Sequence, residues 1–394
     1  MNLGSSLEEN LSQAGRYGFI ESLQDTDELT GSFKCFHDLA VAAPRLLKIG
    51  ALGQEVSNLP IVDSLPAESE LQLAKMALSF LSQAYVWEPT KHSGGDPRTV
   101  LPEQLARPML AVSKVLGEPP IYLYADHTLR NSRLIDSAVP ICIENLKSLY
   151  SFSGTDDEEQ FVIVHTSYES IGIPAVKEAI SAIRNDLSGR LLEEVLLLIA
   201  NTFSELRTEF LNVKKTVSPE TFRNEIRLFL MGWHGNLPSM EYEGTAEKVG
   251  KLRGETGAGS ALLPFFDRFT GCFVKPNSES EAKNSVLGPD ATFKNVSEYF
   301  EFDEYRPIQH RQVLEWTASS SNIRGKAESG EIKKEVYNSL LKAILDLRIA
   351  HLKTVGVYMQ GGSNKYMQGG IGTGGSKYGI YLKALADHTE QRLL

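Results

Sequence analysis

The segment from Glu331 to about Tyr358 places apolar side chains every third or fourth residue, and one of the positions in that stripe is a histidine. Leu340, Ile344, Leu347, His351 and Val355 follow one another at this spacing, which belongs to one face of an α-helix and to no strand. Residues 69–87 repeat the pattern with Leu71, Leu73, Ala74, Ala77, Leu78, Leu81 and Tyr85. Glu193 to Val213 is apolar over much of its surface and reads as a central, buried helix. Ser218, Pro219 and Glu220 form a helix start: a capping hydroxyl, a proline at the first helical position and an acid at the positive end of the dipole. That helix is expected to run to about Met231 and stop at Gly232. No β-branched alternation is sustained enough to build a sheet, so the chain is expected to be all-α.

The 394 residues are 42% apolar and 23% charged, as in globular proteins generally, and a chain of this size can enclose a large cofactor. The stretch SFSGTDDE (151–158) is a plausible joint between a smaller half, 1–150, and a larger one, 151–394. A net charge of −10 without any Lys/Arg-rich run argues against nucleic acid as a partner. Val195–Ala200, the longest aliphatic run, is too short to span a bilayer, and Met1–Gly18 is too polar for a secretory signal. A cytoplasmic location is the expectation. Cys35, Cys142 and Cys272 form neither a CxxC nor a CxxCH pattern and are expected to be reduced, buried thiols.

Proline and glycine punctuate 88–102, 235–260 and 272–330. Near the end YMQGG occurs twice, at 358–362 and 366–370, and GTGGS follows at 372–376. This glycine-rich stretch reads either as a loose connector or as a lid that offers backbone N–H groups and Thr373 to a ligand.

None of the eight histidines (37, 92, 127, 165, 234, 310, 351 and 388) belongs to an HExxH or similar zinc spacing. A lone helical histidine is more often a packed or surface residue than a ligand. His351 differs because it lies within an apolar stripe, where a neutral imidazole needs a partner and a metal is one candidate. Haem iron held by a single histidine leaves its other face open for a gas. Arg348, one turn earlier on the same side, would suit a porphyrin propionate or, alternatively, a surface salt bridge.

Several segments carry a family resemblance. LDLRIAHLKTVGVYM (345–359), EPPIYLYADHTLRN (118–131), LYSFSG (149–154), IRLFLMGWHGN (226–236), GETGAGSALLPFFD (254–267) and GTGGS (372–376), with AYVW (84–87) and VLP (100–102), occur in an order that resembles the indoleamine 2,3-dioxygenases from about Gly18 to the end. The resemblance implies a two-domain helical fold holding haem b, with His351 as the axial iron ligand. Arg348 falls where the family has an arginine near a propionate, Asp267 where an acid supports it, and Thr256 and Gly257 in a loop beside the cofactor. Tyr124, Phe161, Phe222, Leu230 and the loop Gly254–Gly259 match walls of the substrate pocket. Arg227 matches the arginine for an amino acid carboxylate, and Thr373 a loop threonine that reaches the substrate. The implied reaction inserts both atoms of dioxygen across the indole C2=C3 bond of L-tryptophan or a related indoleamine, and a monomer is implied.

Three positions depart from the family pattern. His165, in FVIVHTSYES, stands where the mammalian enzymes have a small hydroxyl residue, and is expected to accept the indole N–H or contact bound oxygen. His127 replaces a small or apolar wall residue, and Arg223 an aromatic one. His127 and Arg223 keep open a haem monooxygenase of a modified indole; a non-catalytic haem sensor is a third reading, against which no signalling module is evident in the sequence.

Overall fold

In a computed structural model the described residues are 5–21, 27–233, 239–273, 296–361, 365–367 and 370–394. His234, part of the 272–330 stretch and part of the YMQGG repeats lie outside them. Helices dominate. The only strands among the described residues are two short pairs: Val100–Leu101 runs parallel to Glu241–Tyr242, and Ser132–Leu134 antiparallel to Leu146–Ser148. The sequence shows no alternation because neither pair exceeds three residues and neither forms a layer.

The long helices follow their stripes. The expected 69–87 segment is the helix Leu71–Ser93, and the histidine-bearing one is Lys334–Met359. In the latter Leu340, Leu341, Ile344 and Leu347 are at most 2% exposed. Burying each contributes about 1.5–3 kcal/mol relative to exposure. Gly189–Thr216 corrects one expectation. Leu192, Leu196, Ile199, Phe203 and Leu206 are buried on one side, whereas Leu191, Leu197 and Leu198 are exposed. Consecutive leucines must fall on both sides of a helix, so the apolar run overstated the burial.

Residues 151–158 serve as a helix start. Thr155 accepts from Glu158 N, and Glu158 reaches back to the N–H groups of Phe152 (2.7 Å) and Ser153 (2.6 Å), opening the helix Asp156–Ile171. Ser218 caps as expected, accepting from Thr221 N. The helix it opens is not uniform: it passes into a π-helical turn at Phe222–Ile226 and tightens to a 3-10 turn at Arg227–Leu230. A second π-helical turn, Ala125–Leu129, follows Tyr124.

Two hydrophobic clusters form the core. One gathers the helices Lys34–Ile49, Leu71–Ser93 and Glu103–Leu116 with residues 222–242. The other gathers Ile173–Arg184, Gly189–Thr216, Leu262–Thr270, Lys334–Met359 and Tyr378–Gln391, together with Leu11, Ala14 and Phe19. Of the three cysteines only Cys272 is buried; Cys35 and Cys142 are partly exposed, which corrects the expectation of three buried thiols. No helix among the described residues is long and apolar enough to cross a membrane.

Candidate functional site

One large, mostly apolar cavity is lined from both clusters: Phe222, Leu230 and Tyr358 from the first, Tyr299, Phe302 and Leu385 from the second. Most residues expected to form a site meet in it. His351 and Arg348 enter from Lys334–Met359, and Phe161 and His165 from Asp156–Ile171. Tyr124 stands at the mouth of one π-helical turn and Phe222 begins the other. Thr256, Gly257, Asp267 and Thr373 complete the set. π-Helical turns reset side-chain direction within a helix and cluster at functional sites.

The His351 imidazole has no hydrogen-bond partner among the described residues. Phe210 meets it edge to face, with ring centroids 5.1 Å apart. Burial lowers its pKa to about 4, with smaller contributions from His165 and Arg348, so the ring is neutral with a lone pair to offer. His165 is also kept neutral by burial. Its Nδ1 lies 2.6 Å from the Phe161 carbonyl, which can only accept, so Nδ1 carries the proton. Nε2 is then an acceptor.

Asp267 and Arg348 pair at 2.6 Å with both side chains at most 5% exposed. Arg348 also donates to Thr389, and Tyr299 donates to Asp267 at 2.5 Å. The loop between Gly254 and Gly259 is fixed at both ends. A Cβ on Gly254 would lie 2.3 Å from Gly232 N and from Leu230 O, and one on Gly259 would lie 2.7 Å from the Tyr124 Cβ. Arg306 fastens the loop from behind, donating to Ala258 O (2.6 Å) and Ser260 O (3.0 Å).

Three expected residues do not line the cavity. His127 sits behind Phe161, edge to face at 5.4 Å, with its Nδ1 2.7 Å from the Tyr122 hydroxyl. Arg227 is fully buried: Nη2 donates to Ile371 O at 2.8 Å, while Nε and Nη1 find no acceptor. Arg223 points elsewhere and donates to Val357 O at 3.1 Å.

The sequence profile of the indoleamine 2,3-dioxygenase family matches residues 11–392. The chain belongs to the indoleamine 2,3-dioxygenase family. It is 30% identical to indoleamine 2,3-dioxygenase 1 of Rattus norvegicus, covering 93% of this chain and 91% of that protein. It is 28% identical to indoleamine 2,3-dioxygenase 2 of Homo sapiens, covering 96% and 93%. With the indoleamine 2,3-dioxygenase of Saccharomyces cerevisiae the figures are 27%, 75% and 68%. Membership makes the chain an oxidoreductase of the haem-dependent indoleamine dioxygenase class.

The cavity fits the cofactor of an indoleamine 2,3-dioxygenase. A haem needs one axial imidazole with a free lone pair, an apolar slot and cations near its propionates. His351 could supply the first, the aromatic walls the second, and Arg348 the third. A further charged residue of this family member stands in the cavity. Glu255 lines the cavity and is 5% exposed, without a hydrogen bond or ion pair among the described residues. Burial alone raises its pKa to about 8. Its signal was available, as the one charged residue in the glycine-rich GETGAG. Phe210, Arg306 and Tyr381 also line the cavity, and nothing local in the sequence marks them.

Proposed function

We propose that this chain is a haem-dependent dioxygenase that inserts both atoms of dioxygen across the indole C2=C3 bond of L-tryptophan or a related indoleamine, giving an N-formylkynurenine-type product. The observation that carries the reading is the neutral His351 imidazole, without a hydrogen-bond partner among the described residues, in a mostly apolar cavity that also receives His165. In this reading His351 is the iron ligand, Arg348 holds a propionate with Asp267 behind it, and Thr256 and Gly257 flank the cofactor. Haem, when bound, supplies the oxygen chemistry; the chain supplies orientation, a dry pocket and proton placement.

Tyr124, Phe161, Phe222 and Leu230 offer an aromatic and aliphatic slot for an indole ring. His165 Nε2 accepts the indole N–H, and His127 stiffens Phe161 from behind. The substrate carboxylate is assigned to Arg227, which lies behind the cavity wall, so this role requires the segment around Ile371 to which it donates to shift. A buried guanidinium with two unsatisfied N–H groups is costly until an anion arrives. Its bond to Ile371 links that anion site to the segment bearing Thr373. The division at residue 150, a monomeric state and a cytoplasmic location belong to the same proposal.

The test is turnover of L-tryptophan by haem-loaded protein with ascorbate and methylene blue, followed at the formylkynurenine absorbance. A Soret band that persists unshifted in His351→Ala, or a loaded protein that leaves tryptophan intact, would refute the reading. Counting labelled oxygen atoms in the product distinguishes dioxygenation from the insertion of one atom.

A further inference from the structure

We infer that Glu255 is the cation-binding group of this cavity and takes the positively charged amino group of an indoleamine substrate. The inference rests on the indole reading above and names what that reading leaves open: how the side-chain amine, as distinct from the carboxylate and the ring, is recognised.

The charged side chains that line the cavity divide sharply. Arg348 is paired with Asp267 and Arg306 with Asp303. Glu255 has no counterpart among the described residues although it is 5% exposed. A carboxyl group in such a place loses hydration and recovers it only through a partner. The scaffold has not simply failed to supply one by being loose. Gly254 is pressed against the backbone of Leu230–Gly232, Gly259 against Tyr124, and Arg306 ties down the carbonyls of Ala258 and Ser260. A carboxyl held this firmly at a cavity surface, with no cation beside it among the described residues, is built to receive one from a ligand.

The surroundings narrow the ligand. Haem brings propionates, which a carboxylate repels, so the cofactor is a poor source of the missing charge. Inorganic cations need several oxygen donors, and no group of three or more acidic, cysteine or histidine side chains arranged to hold a metal ion occurs among the described residues. An aromatic amine suits both the aryl walls and the acid. Burial holds Glu255 neutral at rest, with its pKa at about 8. An ammonium placed against it favours the carboxylate, and the released proton passes to solvent or buffer.

The experiment measures dissociation constants on haem-loaded protein by spectral titration, with L-tryptophan, tryptamine, indole-3-propionate and 3-propylindole. The wild type should bind tryptamine at least about 10-fold more tightly than its neutral isostere 3-propylindole. Glu255→Gln should weaken tryptophan and tryptamine roughly 10- to 100-fold and leave indole-3-propionate within about twofold. The far-UV spectrum and Soret band should stay unchanged. Equal losses for all ligands, no loss, or a change confined to haem retention would each overturn the inference while leaving the indole reading intact. If the wild type binds none of the four, both fall together. The tryptamine comparison requires no variant, so it decides even if Glu255→Gln does not fold.

Discussion

Arg348 and Asp267, 81 residues apart in the chain, meet at 2.6 Å inside the protein and tie the histidine-bearing helix to the helix Leu262–Thr270. Tyr299 donates to the same carboxylate oxygen. Removing the acid leaves a buried guanidinium without its counter-ion. Asp267→Ala should therefore lower stability by about 3–5 kcal/mol in urea unfolding and reduce haem retention. A loss under about 1 kcal/mol would mean that the pair behaves as an exposed one.

His165 presents a single acceptor, Nε2, because the Phe161 carbonyl fixes the proton on Nδ1. His165→Ala should cost ~1–3 kcal/mol, roughly 5- to 150-fold, in kcat/KM for tryptophan. The 1-methyl analogue has no indole N–H, so its rate should be much less affected. An equal fall for both substrates would assign His165 a packing role.

Acid should weaken the fold through its buried imidazoles. His127 is 1% exposed and burial lowers its pKa to about 3. The unfolded chain takes up a proton below about 6.5 and the folded one refuses it. Stability is thus retained above 6.5 and falls as the pH drops toward 3, by at most about 1.4 kcal/mol per pH unit for this residue. Urea midpoints at pH 7.5 and 5.5 should differ less for His127→Asn than for the wild type. An unchanged difference would remove His127 from the account.

Glycines 254 and 257 lie three residues apart and should respond oppositely to a methyl group. At Gly254 the new Cβ would sit 2.3 Å from backbone atoms; at Gly257 nothing lies within 4 Å. Gly254→Ala should destabilise by about 1–3 kcal/mol or more, and Gly257→Ala by less than about 0.5 kcal/mol. Denaturant curves for the two variants check this directly.

What the sequence disclosed tracks the range of each interaction. The stripe through Leu340, Ile344, Leu347 and His351 is local, and the helix it predicts is the one found. The leucines of 191–198 misled because adjacent apolar residues do not say which of them face inward. The π-helical turns at Ala125–Leu129 and Phe222–Ile226 depend on packing around them and leave no local mark. Most residues that the resemblance named do line the cavity, because it carries long-range information that periodicity lacks. It did not single out Glu255, which is conspicuous as the one charged residue of GETGAG but whose lack of a counter-ion among the described residues shows only in three dimensions.

The clamped ends of the Gly254–Gly259 segment have a consequence for how this scaffold diversifies. The path of the main chain there is dictated by contacts that tolerate no side chain, so drift in sequence cannot easily redraw the wall. It can exchange the group displayed at position 255, which lines the cavity, more readily than that at 256, where the Thr256 hydroxyl caps the turn Gly257–Gly259.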